Sequence, residues 1–170
     1  MGTPNARSRA RISPAARAVN VRASSIVTSH GQVIGSALIG QEFAGAQWFH
    51  SRPSNAGKGY DPLSSGATNA GPNDSTLTST ISARKAAVAK EEGVALSAVP
   101  ADAITASASG LDPDISLVYA KLQAKRVAAN NRLTLEQVLA KIKAATHQRL
   151  LGFLGEDTVN VLKLNASLKG

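Results

Sequence analysis

The spacing of apolar positions predicts a helix that ends near Gly93. Three apolar residues and one arginine recur every three or four positions along one stripe, as one face of a helix requires. The stripe consists of Leu77, Ile81, Arg84 and Val88. The candidate N-caps are Asn73, Asp74 and Ser75, and Gly93 is a typical C-terminal stop.

Two further helices follow in the second half of the chain. The second is predicted from about Leu117 to Asn130, with Ser116 as its N-cap. The third starts at Thr134 and Gln137, whose spacing is that of a capping box. Its apolar positions continue in helical register as Leu135, Val138, Leu139 and Ile142.

Strands are predicted near both ends of the chain. QVIGSALI, at 32–39, is an apolar run with glycine interruptions, a pattern typical of a strand with a bulge or a close backbone approach. VNVLKLN, at 159–165, alternates with a period of two. Strands at both ends with about three helices between them predict an α+β fold, and a chain of 170 residues favours one mixed domain.

Two segments are rich in small and turn-forming residues. The first, SRPSNAGKGYDPLSSGATNAGPNDS at 51–75, is long for an irregular segment, and such segments tend to be functional or held against a partner. The second is VPADAITASASGLDPDIS at 99–116, where ITASASG permits another backbone to come close. We expect Asp112, Pro113 and Ser116 to mark the start of the second helix.

One stripe of the second helix is polar. Tyr119, Gln123, Arg126 and Asn130 share it, opposite Val118, Leu122 and Ala129. A solvated face is the ordinary interpretation of such a stripe. An aromatic ring, an amide and a guanidinium in reach of one another also suit a surface for a partner or a nucleotide.

No known catalytic or metal-binding motif fits the chain. The phosphate-loop pattern fails at Gly57 and Lys58, and the nucleophile elbow fails at Ser64. Asp112, Asp114 and Ser116 have part of the spacing of a calcium loop, but the required glycine and glutamate are absent. The three histidines are dispersed and there is no cysteine, so we predict neither catalytic residues nor a metal site.

The formal charge of +8 comes largely from the first 22 residues. Five arginines precede the first acidic residue, Glu42, and the rest of the chain is nearly balanced. They are Arg7, Arg9, Arg11, Arg17 and Arg22. We therefore expect residues 1–29 to be a basic, disordered segment and residues 30–170 to form the soluble domain, with no nucleic-acid partner.

Six blocks, in this order, resemble the C subunit of the Kdp-type potassium-transporting P-type ATPase of bacteria and archaea. They are GSALIGQEF (35–43), WFHSRPS (48–54), SSGATNAGPND (64–74), VPADAITASASGLDPDIS (99–116), QAKRVA (123–128) and LGFLGEDTVNVLKLNASL (151–168). The resemblance covers about residues 31–168. It departs from the family at Ala67 and Thr68, which are mild changes in the SGG-type block.

The resemblance implies an accessory subunit without chemistry of its own. Its partners would be the potassium-binding subunit and the ATP-hydrolysing subunit, in a complex at the bacterial inner membrane that transports potassium. No tightly bound cofactor is implied, although the family has been described as a catalytic chaperone that raises ATP affinity. A glutamine is implicated there, which makes Gln123, with Arg126, the candidate nucleotide contact.

The resemblance also suggests which residues dock on the partner subunits. The candidates are Arg52, Pro53, Ser65, Gly66, Asn69, Ser109, Gly110, Leu111 and Asp112. In the family the soluble domain lies mainly on the extracytoplasmic side, held by one N-terminal membrane helix. We expect a stabilising and docking role on that side.

The first residues of this chain do not resemble the family's membrane helix. MGTPNARSRARISPAARAVNVRAS lacks the apolar run that a spanning helix needs. Translation of a GC-rich segment in another frame explains this composition best, and a diverged soluble paralogue or an artificial N-terminus are the alternatives. The side of the membrane that this chain occupies stays open at this point.

Two other functions remain open from the sequence. One is an unanchored binding module whose basic tail contacts a polyanion, in which case binding weakens steeply with salt. The other is a nucleotide-dependent enzyme that uses Gln123 and Arg126, in which case the purified chain alone hydrolyses ATP.

Overall fold

The computed structural model describes residues 25–29, 31–71, 73–149 and 155–169. The four helices are α1 (Ser75–Glu92), α2 (Leu117–Asn131), α3 (Leu135–Ala145) and α4 (Val161–Ser167). The five strands are β1 (Ile26–Ser29), β2 (Gln32–Ser36), β3 (Asp114–Ser116), β4 (Thr146–His147) and β5 (Thr158–Asn160). The predicted α+β class is confirmed. The five N-terminal arginines lie outside the described residues, as does most of the segment predicted to be disordered.

The first three helices start as their cap residues predict, and the first also ends at its predicted stop. The Asp74 side chain accepts from the Leu77 N–H at the start of α1, and Gly93 adopts the left-handed conformation at its end. Ser116 caps α2 by accepting from the Tyr119 N–H. Thr134 and Gln137 form the predicted capping box of α3.

Short strands form two separate antiparallel sheets. β1 and β2 make a hairpin whose register shifts between Val27 and Thr28. The second sheet has the order β3-β5-β4. Because β3 leads directly into α2 and β5 directly into α4, this small sheet fixes the starting points of both helices.

The strand predicted over 159–165 is wrong beyond Asn160. β5 ends there because the Asn160 side chain accepts from the Lys163 N–H and caps α4. Val161, Leu164 and Asn165 are buried at helical spacing, so one face of a helix enters the core. The alternation in VNVLKLN fits a strand equally well, and the cap decides between the two.

The core is assembled around α2, which packs against α1 and α3. Its larger apolar members include Phe49, Ile115, Tyr119, Val127, Val138, Ile142, Val159 and Leu164. Residues 37–71 contain no helix or strand, as predicted for much of that region, yet Phe49 and Ala56 from this region are fully buried. Within the described ranges, no helix is long and apolar enough to cross a membrane.

Candidate functional site

Two irregular segments meet in a compact arrangement that we call the loop junction, formed by residues 52–66 and 109–112. The Ser109 carbonyl accepts from the Gly66 N–H at 3.0 Å and from the Ser65 hydroxyl at 2.9 Å. The Ser54 hydroxyl donates to the Gly110 carbonyl at 2.6 Å. Each of these bonds uses a backbone carbonyl of residue 109 or 110, so the two segments must approach closely.

Gly110 makes this approach possible. Its φ of 68° lies in the left-handed region, which a residue without Cβ adopts readily. A Cβ at this position would lie 2.7 Å from the Ala56 backbone nitrogen and 3.0 Å from the Gly66 carbonyl oxygen. The close approach predicted for ITASASG is confirmed, and the backbone that approaches is that of residues 54–66.

Charged and backbone contacts extend the junction at its Asp112 end. Arg52 Nη1 lies 3.2 Å from Asp112 Oδ2, and both side chains are partly exposed. The Gly40 N–H donates to the Leu111 carbonyl at 2.8 Å, which ties the segment after β2 to the same place. Asp112 Oδ1 also accepts from the Asp114 N–H, so this residue shapes the turn that leads into β3.

Tyr60 and Ser54 hold the loop that projects from the junction. The Tyr60 hydroxyl donates to the Arg52 carbonyl, and burial raises the pKa of Tyr60 to about 12. The Ser54 hydroxyl accepts from the N–H groups of Ala56 and Tyr60. Within the same segment, Leu63 is 77% exposed. The loop junction therefore presents an apolar side chain from a firmly hydrogen-bonded base.

Most of the docking candidates named from the sequence come together here. Arg52, Ser65, Gly66, Ser109, Gly110, Leu111 and Asp112 contribute the contacts just described, and Pro53 lies within the same segment, partly buried. Asn69 lies outside the junction, exposed, with a φ of 48° that asparagine tolerates. Their docking role stays a prediction.

Residues 46–50, which we call the clamped segment, precede the junction and are held by side chains from two helices. All five of their carbonyls accept from a buried or partly buried side chain rather than from a neighbouring strand. Arg126 Nη1 binds the carbonyls of Ala46 and Trp48, Asn131 binds Gln47, Asn165 binds Phe49 and Gln123 binds His50. These side chains therefore supply the hydrogen bonds that a neighbouring strand would otherwise give to the backbone.

Gln123 is fully buried, and both of its amide atoms are engaged. Its Oε1 accepts from the His50 N–H at 2.6 Å and from Arg126 Nη2 at 3.0 Å, while its Nε2 donates to the His50 carbonyl at 3.1 Å. Such a two-way bond fixes both the position and the orientation of the His50 peptide units. The nucleotide contact proposed for Gln123 and Arg126 stays a prediction.

A buried ion pair anchors Arg126. Its Nε lies 2.9 Å from Glu92 Oε1, and the two side chains are 7% and 2% exposed. Burial raises the pKa of Glu92, and the Arg126 guanidinium opposes that shift. Burial and Arg126 together lower the pKa of His50, although Glu91, 3.6 Å from its Nδ1, acts the other way. Glu92 Oε2 has no hydrogen-bond partner in the described residues.

The interpretation of the polar stripe of α2 as a solvated face is wrong for Tyr119 and Gln123, although it holds for Asn130, and Leu122 on the opposite face packs against the core. Tyr119 and Gln123 are buried, whereas Val118 is 63% exposed and Ala129 is exposed. Gln123 and Arg126 face inward because the clamped segment brings backbone groups into the core that must find hydrogen-bond partners.

Sequence reasoning missed three residues that hold the clamped segment directly or through Arg126. They are Glu92, Asn131 and Asn165. Glu92 and Asn131 end their helices and have the composition of ordinary helix termini. Asn165 was assigned to a strand. The helical spacing of Val161, Leu164 and Asn165 is the one signal in the sequence that could have found it, and the alternation in VNVLKLN competes with that signal.

Metal-binding chemistry is not visible in the part of the chain that the structure describes. Within those residues, no three His, Asp or Glu side chains group closely enough to hold a metal ion. In the loop junction, the Ser54 and Ser65 hydroxyls donate to backbone carbonyls rather than to a base.

Comparison with known proteins gives one consistent result. The chain matches the family described as KdpC, K⁺-transporting ATPase, c chain, over residues 12–170. A potassium-transporting ATPase KdpC subunit from Kineococcus radiotolerans is 52% identical over 144 residues, which cover 85% of this chain and 74% of the relative. The subunits from Mycobacterium bovis and Acidobacterium capsulatum are 52% and 49% identical, over 81% and 85% of this chain and 74% and 76% of the relatives. The chain therefore belongs to the KdpC family and is a subunit of a potassium-transporting ATPase, not its catalytic subunit.

Proposed function

We propose that this subunit stabilises the ATPase by docking its loop junction on the potassium-binding and ATP-hydrolysing subunits. The observation that carries the proposal is the junction itself, where close backbone contacts hold a segment that exposes Leu63. A rigid loop loses little conformational entropy on binding, so a contact made through it favours association more than one made through a flexible loop.

The chemistry of the junction suits contact with another protein. Leu63 offers an apolar anchor, and the exposed hydroxyl groups and carbonyls around Ser65 and Ser109 offer hydrogen bonds at its edge. An apolar centre with a polar rim is the usual composition of a protein interface. The complex would transport potassium at the bacterial inner membrane, with this domain on the extracytoplasmic side.

The second part of the proposal is that the subunit raises the ATP affinity of its hydrolysing partner. In this conformation the buried Gln123 amide cannot contact a nucleotide directly. Gln123 and Arg126 would therefore act on ATP affinity indirectly, by holding the clamped segment. Complexes with and without this subunit test that part. Half-maximal ATP hydrolysis should require more ATP when the subunit is missing, and an unchanged requirement would remove the chaperone role while leaving the docking role intact.

Substitution of Ser109 tests the docking role. The Ser109 hydroxyl accepts from the Leu111 N–H, and the Ser109 carbonyl accepts from the Ser65 hydroxyl and the Gly66 N–H. Ser109→Leu should reduce the amount of complex recovered on the partner subunits several-fold, while the ATPase activity of each assembled complex stays unchanged. Co-purification followed by activity per mole of complex measures both.

The neighbouring Ala108→Leu is the matched control. Ala108 is exposed, and its side chain contributes no hydrogen bond to the junction. It should assemble as the unmodified chain does. If Ser109→Leu assembles fully and loses ATPase activity instead, the docking role is wrong.

A further inference from the structure

Leu63 has the most exposed of the large apolar side chains in the described residues, yet it lies on a short stretch of backbone that is fixed at both ends. Before it, the Tyr60 N–H donates to the Ser54 hydroxyl at 2.8 Å. After it, residues 65–66 donate two hydrogen bonds to the Ser109 carbonyl. An apolar side chain in solvent is therefore carried by backbone that has little freedom to move.

The residues between these two ends restrict the stretch further. Asp61 Oδ1 accepts from the Leu63 N–H at 2.9 Å, and the Asp61 carbonyl accepts from the Ser64 N–H at 3.1 Å. The ring of Pro62 fixes its own φ. Because this turn is closed by its own bonds, the orientation of Leu63 depends on how the chain leaves Tyr60.

Tyr60 leaves its neighbours in a left-handed conformation, with a φ of 53°. This conformation is costly for a residue that has a Cβ and a bulky ring. Two hydrogen bonds impose it, one from the Tyr60 N–H to the Ser54 hydroxyl and one from the Tyr60 hydroxyl to the Arg52 carbonyl. Tyr60 is thus held to residues 52–54 both by its backbone and by the far end of its ring.

A glycine at position 60 would permit the same backbone conformation without imposing it. The segment uses glycine in this way close by, because Gly57 and Gly59 both have positive φ. Tyr60 differs from them in its ring and in the hydroxyl bond to Arg52. Strained backbone persists only where the surrounding structure fixes it, so the tyrosine makes this conformation the single one that the segment adopts.

We propose that Tyr60 is a positioning residue for docking, which keeps Leu63 in the orientation that a partner subunit binds. The proposal rests on the docking role proposed above and adds the residue that prepares the segment for it. If the segment opens part of the time, only the fraction in the correct conformation is ready to bind, and the apparent Kd rises in inverse proportion to that fraction. Preorganisation of this kind favours association without a new contact.

The kinetics of association separate positioning from contact. Tyr60→Phe removes only the hydroxyl, and kon for the ATPase complex that lacks this subunit should fall about fivefold, the worth of one hydrogen bond. Its koff should stay nearly unchanged, because the partner holds the segment once it is bound. Leu63→Ala removes the contact itself and should mainly raise koff. Biolayer interferometry with the immobilised full-length chain measures both rates.

A double-mutant cycle tests whether Tyr60 acts through Leu63. In the Leu63→Ala background, Tyr60→Phe should no longer lower kon, because no side chain is left to be positioned. Tyr119→Phe is the matched control, since Tyr119 is the other tyrosine of the chain and is buried in α2, so kon should stay unchanged. An equal fall in kon in both Leu63 backgrounds would overturn the proposal.

Limited proteolysis of the isolated chain tests the same inference without a partner. Lys58 is exposed within the segment, and trypsin cleaves after it only when the backbone opens locally. Tyr60→Phe should raise the rate of this cleavage severalfold, whereas cleavage at Lys125, inside α2, should stay slow. An unchanged rate at Lys58, or an equal rise at Lys125, would show that Tyr60 does not hold this segment in particular, and the proposal would fail.

Failure of this proposal is distinguishable from failure of the docking role. If Tyr60→Phe speeds cleavage at Lys58 but leaves kon unchanged, while Ser109→Leu still fails to assemble, the docking role stands and Tyr60 does not position Leu63 for it. If Leu63→Ala and Ser109→Leu both associate as the unmodified chain does, the docking role itself is wrong, and the positioning role falls with it.

Discussion

The loop junction and the clamped segment adjoin each other along the chain, yet they hold irregular backbone in place by opposite means. The junction uses small residues, so that backbone meets backbone at Gly110. The clamped segment uses long polar side chains that reach across from α2 and α4, with Arg126 and Gln123 at their centre. The junction is therefore sensitive to added atoms, and the clamped segment is sensitive to the removal of side-chain atoms.

Removal of Arg126 should reduce the free energy of unfolding more than any other change, because the clamped segment loses a hydrogen-bond donor and the buried Glu92 carboxylate loses its ion pair. Arg126→Met keeps the apolar stem but leaves Glu92 without its counter-charge and the carbonyls of Ala46 and Trp48 without a donor. Breaking a buried pair in this way costs about 3–5 kcal/mol in the free energy of unfolding. Chemical denaturation measures it.

Lys143→Met is the control for the Arg126 variant. Lys143 is an exposed cation near the end of α3, and its loss should change stability by less than about 0.5 kcal/mol. An equal loss of unfolding free energy in the two variants would contradict the stabilising role of Arg126 at the clamped segment.

An added methyl group should damage the junction by a smaller amount. In Gly110→Ala the new Cβ meets backbone at 2.7 Å in addition to the strain of a positive φ. We expect a loss of about 2–3 kcal/mol in the free energy of unfolding. Thermal or chemical denaturation measures it.

Gly93→Ala isolates the contact from the strain. Gly93 has nearly the same φ, 65°, but nothing lies within 4 Å of a Cβ there, so its substitution should cost only about 1 kcal/mol. If both glycine variants lose the same stability, close contact at Gly110 contributes nothing.

The features that the sequence predicted well are those encoded by neighbouring residues. Asp74 and Ser116 mark helix starts because a cap bonds within its own first turn. The glycine-rich character of the junction was visible for a similar reason, since turn chemistry and the absence of a side chain are local properties. The ITASASG segment thus predicted that a backbone approaches, though not which one.

The clamp could not be predicted because it depends on contacts between distant positions. The carbonyls that Gln123 and Arg126 satisfy belong to residues more than 70 positions earlier in the chain. From the sequence alone, a polar stripe facing solvent and one facing buried carbonyls look alike. The same lack of distant information made α4 resemble a strand until Asn160 was seen to cap it.

The smallest effect we expect is a pH dependence that originates in the clamped segment. The pKa of His50 is lowered from its ordinary value of 6.5 by burial and by Arg126. The unfolded chain therefore takes up this proton more readily than the folded chain does. Stability from His50 is complete above pH 6.5 and is lost as the pH falls through the lowered pKa, by less than about 1 kcal/mol.

Comparison of the unmodified chain with His50→Gln between pH 7.5 and 5.5 isolates this contribution. Glu92 acts in the opposite sense, because its pKa is raised by burial, and it is present in both proteins, so its effect cancels in the difference. The emission of Trp48, the only tryptophan, reports on the clamped segment during the same titration. The stability difference between the two proteins should change as the pH falls, with a parallel change in Trp48 emission only where His50 is present. A difference that stays constant across this range would show that the pKa of His50 is not lowered in the folded chain, and this prediction would be wrong.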